Sequence, residues 1–402
     1  MAVSPIRLTQ AQARRSWLTR QQLDPAARPA VESSGPAALA ARVGAVGWIP
    51  VPVPATGYLS LLARGALVHR AELDAALFDR QELALVPGPR GYLWLVPQAD
   101  APLARAFAVA EHAAREARIA SAVPLMAREL HEARDALKAL LDQPRSPGAL
   151  REALPRDTLR TLGPVGRRVG CATVAGLVLH GMWAQGELLR LPADGRLDGE
   201  GVRYGIDPRP RVVPNAADAV DVIAGRWLAA HAPTTARAFA AAFGIALGRA
   251  QSALKPFRPT PVTVDGLDED FLAPEGFEPP AEGPDGLVSV LPFRDPITDV
   301  RPGLQGLADE AVARAVTLKS LGPGPVVLVD GEVVATWAYD PASMRLALRP
   351  LVALSATVAS RMHDAAEGVA GFIARELRPP VLHAITRARP PSRVTAELGA
   401  EL

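Results

Sequence analysis

Residues 43–64, VGAVGWIPVPVPATGYLSLLAR, are the stretch on which the reading of the chain turns. An apolar segment holding Gly44 and Gly47 runs into Pro50, Pro52 and Pro54 at alternating positions, and then into a helical pattern with Tyr58, Leu61, Leu62 and Arg64. Proline fixes φ and lacks an amide donor, so Pro50 to Pro54 reads as a stiff extended connector and not as helix or central strand. The chain is being held in place at the mouth of a helix.

Working outward, Leu8 to Leu23 has Thr9 as an N-cap, small and apolar residues at helical spacing, and Arg14, Arg15 and Arg20 outside. Pro36 to Arg42 gives a second short helix and Ala71 to Phe78 a further one. Beyond them, Leu83–Val86, the turn PGPRG at Pro87 to Gly91, and Tyr92–Val96 spell strand, turn, strand. Helices followed by a hairpin are the outline of a winged helix. The same outline belongs to many small α+β units that bind nothing.

Pro102 to Leu141 reads as helix broken near Pro124, and PRSP at Pro144 to Pro147 as a boundary. The charges Arg115, Arg118, Arg128, Glu129, Arg134 and Asp135 mark a solvated face or, alternatively, a basic groove. Pro155 to Leu162 and Thr173 to Gln185 are expected to be helices, followed by the hairpin Leu188–Leu191 and Val202–Tyr204. The turn of that hairpin sets Arg196 against Asp194, Asp198 and Glu200, which makes it a poor phosphate clamp. Ala216 to Ala230, the capped turn at Thr234 or Thr235, and Leu247 to Leu254 after Gly244 give the clearest helix-turn-helix spacing. Its recognition helix offers Arg249, Gln251, Ser252 and Lys255 to a groove, although any exposed helix carries such residues. From Pro256 the texture turns to strands, with a tight hairpin at Asp330–Gly331. Ser355 to Leu377 closes the series as a long helix, and 381–402 as a loosely packed tail.

At 402 residues with 49% hydrophobic and 21% charged content, the chain holds several globular cores. A net charge of +2 does not announce a nucleic-acid binder, so any such role must rest on local patches. The single cysteine, Cys171, excludes an intrachain disulfide and a cysteine-zinc cluster, and the histidines show no HExxH spacing. No metal site is expected from these residues. Neither a membrane-spanning run nor a signal-peptide core occurs, so a cytoplasmic protein is expected, and a monomer is expected as a separate matter.

LTQAQARR at Leu8, GYLSLLAR at Gly57, PRGYLWLVP at Pro89, HAPTTARAFAAAFGI at His231, VLPFRDP at Val290, VLVDGEVVATW at Val327 and RPLVALSA at Arg349, in this order, resemble the AlkZ/YcaQ-like family of winged-helix DNA glycosylases. The resemblance implies an α+β, mainly helical fold. Three tandem winged-helix units (1–110, 151–215 and 216–290, with a helical connector at 111–150) would join a C-terminal β-rich subdomain (291–402) in a C-shaped clamp on duplex DNA. The activity the resemblance implies is that of characterised relatives, hydrolysis of the N-glycosidic bond of alkylated, positively charged or bulky purine adducts without metal or organic cofactor. A cationic alkylpurine leaves readily, so polar side chains suffice to steady the oxocarbenium-like sugar and place a water.

Relatives carry that chemistry on a Gln-apolar-Gln or Gln-apolar-Asp triplet just before the helix that opens at the aromatic of GYLSLLAR. Counted back from Tyr58, the triplet falls on Pro50, Val51 and Pro52, none of which holds a water or a proton. The family's RGTLH-like segment matches Arg90 to Trp94, so Trp94 stands where relatives have histidine. No Gln, Asp, Glu or His lies between Val43 and Leu67. Three readings follow: a duplex-DNA-binding protein without the family reaction, a glycosylase with a changed site, and a scaffold that no longer meets DNA. The first would use Arg42, Arg64, Arg90, Arg167, Arg168, Arg249 and Lys255 on phosphates. The second would use Asp295 or Asp299 as carboxylate, although Asp295 also suits a turn. Trp48, Tyr58 and Trp94 would stack on an extruded base, or else fill a core.

Overall fold

The computed structural model describes residues 5–28, 36–209, 212–281, 286–318 and 322–378, so the tail expected at 381–402 lies outside them. About half of these residues are helical, and the sheets are small. They divide into two compact units. One joins the chain up to Ala76 with the chain from Val220 onward; the other is the contiguous run Leu77–Ala219. The division falls inside 1–110, which the sequence reads as one winged-helix unit.

In the first unit, Thr9 starts helix Gln10–Arg20 through a reciprocal capping box with Gln12. Just before it, Ile6–Leu8 pairs in parallel with Thr260–Val264, which pairs antiparallel with Leu267–Ala273. Helix Ala216–His231 leads to a turn in which Thr234 exchanges two backbone hydrogen bonds with Leu272 (2.9 and 2.7 Å). Thr235 then caps Ala236–Phe243, Gly244 takes the left-handed conformation that ends it, and Leu247–Leu254 follows. Helix, bridge, helix, helix and hairpin thus succeed one another.

A four-stranded antiparallel sheet runs Arg345–Pro350, Glu332–Asp340, Val326–Val329, Val288–Leu291. Asp330 (φ 49°) and Gly331 (φ 81°) make the tight turn, and Asp330 also accepts from the amides of Gly286 and Leu287. Ser355 caps Ala356–Glu376. The core draws on both ends of the chain: Trp17 and Leu18 pack in one cluster with Val262, Leu291, Ile297 and Val326.

Helix Pro54–Ala63, with Pro54 in its first turn, is buried from Ala55 through Leu61. A helix apolar and buried all round is an interior element, not a surface on which a partner lands.

The second unit holds the hairpin Leu83–Pro87 and Leu93–Pro97, helices Ala101–Ala120 and Ala127–Leu140, and the hairpin Leu188–Pro192 and Val202–Ile206. Arg145 exchanges backbone hydrogen bonds with Tyr204 (2.8 and 2.7 Å), the counterpart of the Thr234–Leu272 bridge. The helix expected over Pro155–Leu162 is a turn. Ser146 caps, and Pro147 opens, helix Pro147–Ala153 instead, and Pro155 disfavours helical backbone at Leu154. A second short helix, Gly163–Arg168, follows. Val174–Ala184 is buried along its whole length, so it offers no face to a groove. At the tip of the second hairpin, Arg196 binds Asp198 through two hydrogen bonds (2.8 and 2.9 Å), leaving the tip without spare positive charge. No helix among the described residues is long and apolar enough to cross a membrane.

Candidate functional site

Pro50, Val51 and Pro52 are buried. The helix they lead into is locked by polar contacts that face inward. Tyr58, fully buried, donates to Asp74 Oδ1 at 2.5 Å, and Arg70 binds Asp74 Oδ2. Arg64, 1% exposed, forks onto Asp295 (Nη1 to Oδ2 2.7 Å, Nη2 to Oδ1 2.9 Å) and donates to Ser60 O and Gln21 Oε1. Asp295, 0% exposed, also accepts from Ser60 Oγ and from the amide of Ile297, capping helix Pro296–Asp299.

Two expectations change. Arg64 is not placed to reach a phosphate, because its Nη1 and Nη2 donors are spent in the interior on one carboxylate and its neighbours, and its Nε–H is buried without a partner. Asp295 is held in a structural role, because it is fully buried and both of its oxygens are occupied. The alternative Asp299 is equally engaged, by Arg294 Nη1 at 2.6 Å.

The stacking aromatics are corrected too. Trp48 is 3% exposed, holds a left-handed φ of 73°, and meets Phe243 edge-on at 6.0 Å. Trp94, also 3% exposed, donates its indole N–H to Pro89 O at 3.0 Å. Together with Tyr58 they are interior residues, which leaves no face for a base.

The remaining cations divide by surroundings. Arg90 (φ 63°) lies in the first hairpin turn with its guanidinium over the Tyr92 and Trp94 rings (5.3 and 5.8 Å), so it staples the turn. Arg42 is half-buried and reaches Arg64 O at 3.4 Å. Arg249 is bound to Asp221 at 2.7 Å. Arg167 and Arg168, in the last turn of Gly163–Arg168, are exposed, as is Lys255 directly after Leu247–Leu254. Along Ala101–Leu140, Arg115 is buried and Arg128 and Arg134 are paired with Glu132 and Glu187, which does not make a basic groove.

Two polar clusters escape a sequence reading, because their members are far apart along the chain. In the first unit His231 is buried, its Nδ1 3.3 Å from Gln21 Nε2, its ring 3.9 Å from that of Trp227. Gln21 also donates to Val46 O and Ala230 O. An amide nitrogen has two hydrogens and the two carbonyls take both, so this approach does not fix the imidazole tautomer, and His231 Nε2 has no hydrogen-bond partner. A Cβ at Gly47 would sit 2.8 Å from it. Burial, then the charges of Arg301 and Arg64, hold His231 well below the usual imidazole range. Arg301 is itself pushed down to about 9 by burial, stacked on Trp17 at 4.1 Å.

In the second unit Arg115 lies 2.6 Å from His180 Nε2, and His180 Nδ1 lies 3.3 Å from His112 Nδ1. An arginine only donates, so His180 Nε2 accepts and its Nδ1–H points to His112. Burial, then the charge of Arg115, pushes His112 down to about 4; the same causes hold His180 well below its usual range. Cys171 is pushed up to about 11 by burial and is no nucleophile. Among the described residues no group of three His, Cys, Asp or Glu side chains is placed to hold a metal.

The model of the family described as AlkZ-like, "DNA glycosylase AlkZ-like", matches residues 40–372. The chain belongs to this family. Among solved structures it is similar to the Streptomyces sahachiroi DNA glycosylase AlkZ, with a TM-score of 0.69 and 17% identity, over 93% of this chain and 100% of that one. At that identity the likeness speaks for the fold. None of the curated proteins matches the chain.

Proposed function

We propose that the chain is a duplex-DNA-binding member of the family that does not perform the alkylpurine excision of its relatives. The observation that carries this reading is the interior of the first unit. Pro50, Val51 and Pro52 are buried, and the nearby Arg64, Asp295, Tyr58 and Asp74 are bound to one another. No side chain of that segment holds a water against a sugar.

For the binding half, the reading rests on family membership and on the run of helix, bridge, helices and hairpin, with two helices after the bridge in the first unit and three in the second, which we take as winged helices. Arg167, Arg168 and Lys255 are the expected cations to phosphate contacts. Phosphate contacts release counterions, so affinity should fall steeply with salt. Fluorescence anisotropy on a short labelled duplex across a salt series tests this half. A salt-independent affinity, or none at all, overturns it.

Family membership also favours a second reading, excision of a modified base through a changed site. Incubation with DNA bearing N7- and N3-alkylpurines or bulky adducts, followed by alkaline cleavage, separates the two. Strand breaks above background select the second reading, and intact DNA the first.

A further inference from the structure

A cleft of the second unit plays no part in the DNA reading. It opens between the two hairpins beside helix Ala101–Ala120, a space of about 630 Å³ that includes the open solvent at its mouth. Phe78, Leu85, Leu189 and Leu191 give it apolar walls. Leu83 through Val86 line it without a break, as do Leu189 through Leu191. A strand that turns its face to a cleft shows every second residue; consecutive residues mean that it presents its edge. Leu83–Pro87 is an edge strand, and Leu188–Pro192 belongs to a two-stranded sheet, so unpaired backbone groups of two edges border the space.

Its charge is uneven. Three guanidiniums, Arg105, Arg190 and Arg209, line it against one carboxylate, Asp207. Arg105, 6% exposed, is fixed by donating to Trp183 O. Arg209 at the mouth holds Gln81 Oε1 and lies 3.5 Å from Asp207. The Arg190 side chain has no hydrogen bond or ion pair among the described residues. A nearly buried cation among leucines favours a desolvated anion, and apolar walls favour a hydrocarbon or aromatic body behind it.

We propose that this cleft binds an amphipathic organic anion, a carboxylate or phosphate carried on an apolar body. A DNA strand is a poor fit, since a polyanion is served by an open basic track and gains nothing from leucine walls with an aspartate at the mouth.

The test uses the full chain and the fluorophore anilinonaphthalene sulfonate, whose sulfonate stands in for the anion. Saturable one-site enhancement is expected, displaced by dodecanoate or by dodecyl phosphate below their micellar range. Whichever acid displaces it tells carboxylate from phosphate. Dodecyltrimethylammonium, with the same chain and opposite charge, should not compete. Arg209 is exposed, so Arg209→Glu should keep the fold, as circular dichroism will verify, while weakening the probe about tenfold. Leu191→Glu on the wall should weaken it to a similar degree. No saturable binding, unchanged affinity in either variant, competition by the ammonium surfactant, or displacement by duplex DNA in place of both acids overturns the proposal.

Discussion

Two helices of the first unit are followed by a basic residue, and the two ends are used in opposite ways. Arg64, at the C-cap of Pro54–Ala63, is 1% exposed and forked onto Asp295; Lys255, at the C-cap of Leu247–Leu254, stands in solvent. Both suit the negative end of a helix dipole. What separates them is a carboxylate distant in sequence, supplied by the turn VLPFRDP. A basic residue in a family motif is thus a phosphate contact only if the chain does not bring its own anion to it.

Acid is expected to act most strongly on the buried side of this contrast. His112, His180 and His231 are all held below their unfolded value of about 6.5. Their folded forms bind fewer protons, so their contribution is complete above about 6.5 and is lost as pH falls, down to about 4 for His112. Each costs about 1.4 kcal/mol per pH unit within its window. Urea midpoints at neutral and mildly acidic pH check this, and a flat profile would contradict the buried, neutral assignment.

Next in size is Asp295→Ala, which strands the Arg64 guanidinium and should cost about 3–5 kcal/mol in urea unfolding. A cost near zero would erase the distinction between Arg64 and Lys255. Tyr58→Phe removes the tyrosine's hydrogen bond from Asp74 and should cost about 1–2 kcal/mol by the same measurement. Lys255→Ala should change stability by less than about 0.5 kcal/mol. In the anisotropy assay it should lower the salt slope by about 1, and a stability loss as large as that of Asp295→Ala would show the exposed end to be structural.

Local chemistry was legible from the residues alone. Thr9, Thr235 and Ser355 cap the helices that their spacing announces, and Asp330–Gly331 makes its hairpin. Asp295 fixes its turn, one of the two roles open to it. The neutral tip at Arg196 was equally visible, since its partners lie within a few residues. Burial of the site residues was not. Arg64, Tyr58 and Trp94 carry polar or amphipathic side chains that serve a surface or an interior equally well, and the choice is made by Asp295, Asp74 and Pro89 O. Pro155–Leu162 misled because its helical spacing is overruled by the Ser146–Pro147 start and the Pro155 stop. The clusters around His231 and His180 had no local signal, being assembled from segments far apart in the chain.

The parallel pairing of Ile6–Leu8 with Thr260–Val264 carries a consequence for biogenesis. The second unit is complete once Ala219 has left the ribosome, whereas the first waits for strands and core residues beyond Val262 before Trp17 and Leu18 find their cluster. Contacts of such long range are slow to close and leave apolar surface waiting. During synthesis, therefore, the inserted unit should fold first, and the N-terminal helices that precede it in sequence remain the segment that needs a chaperone.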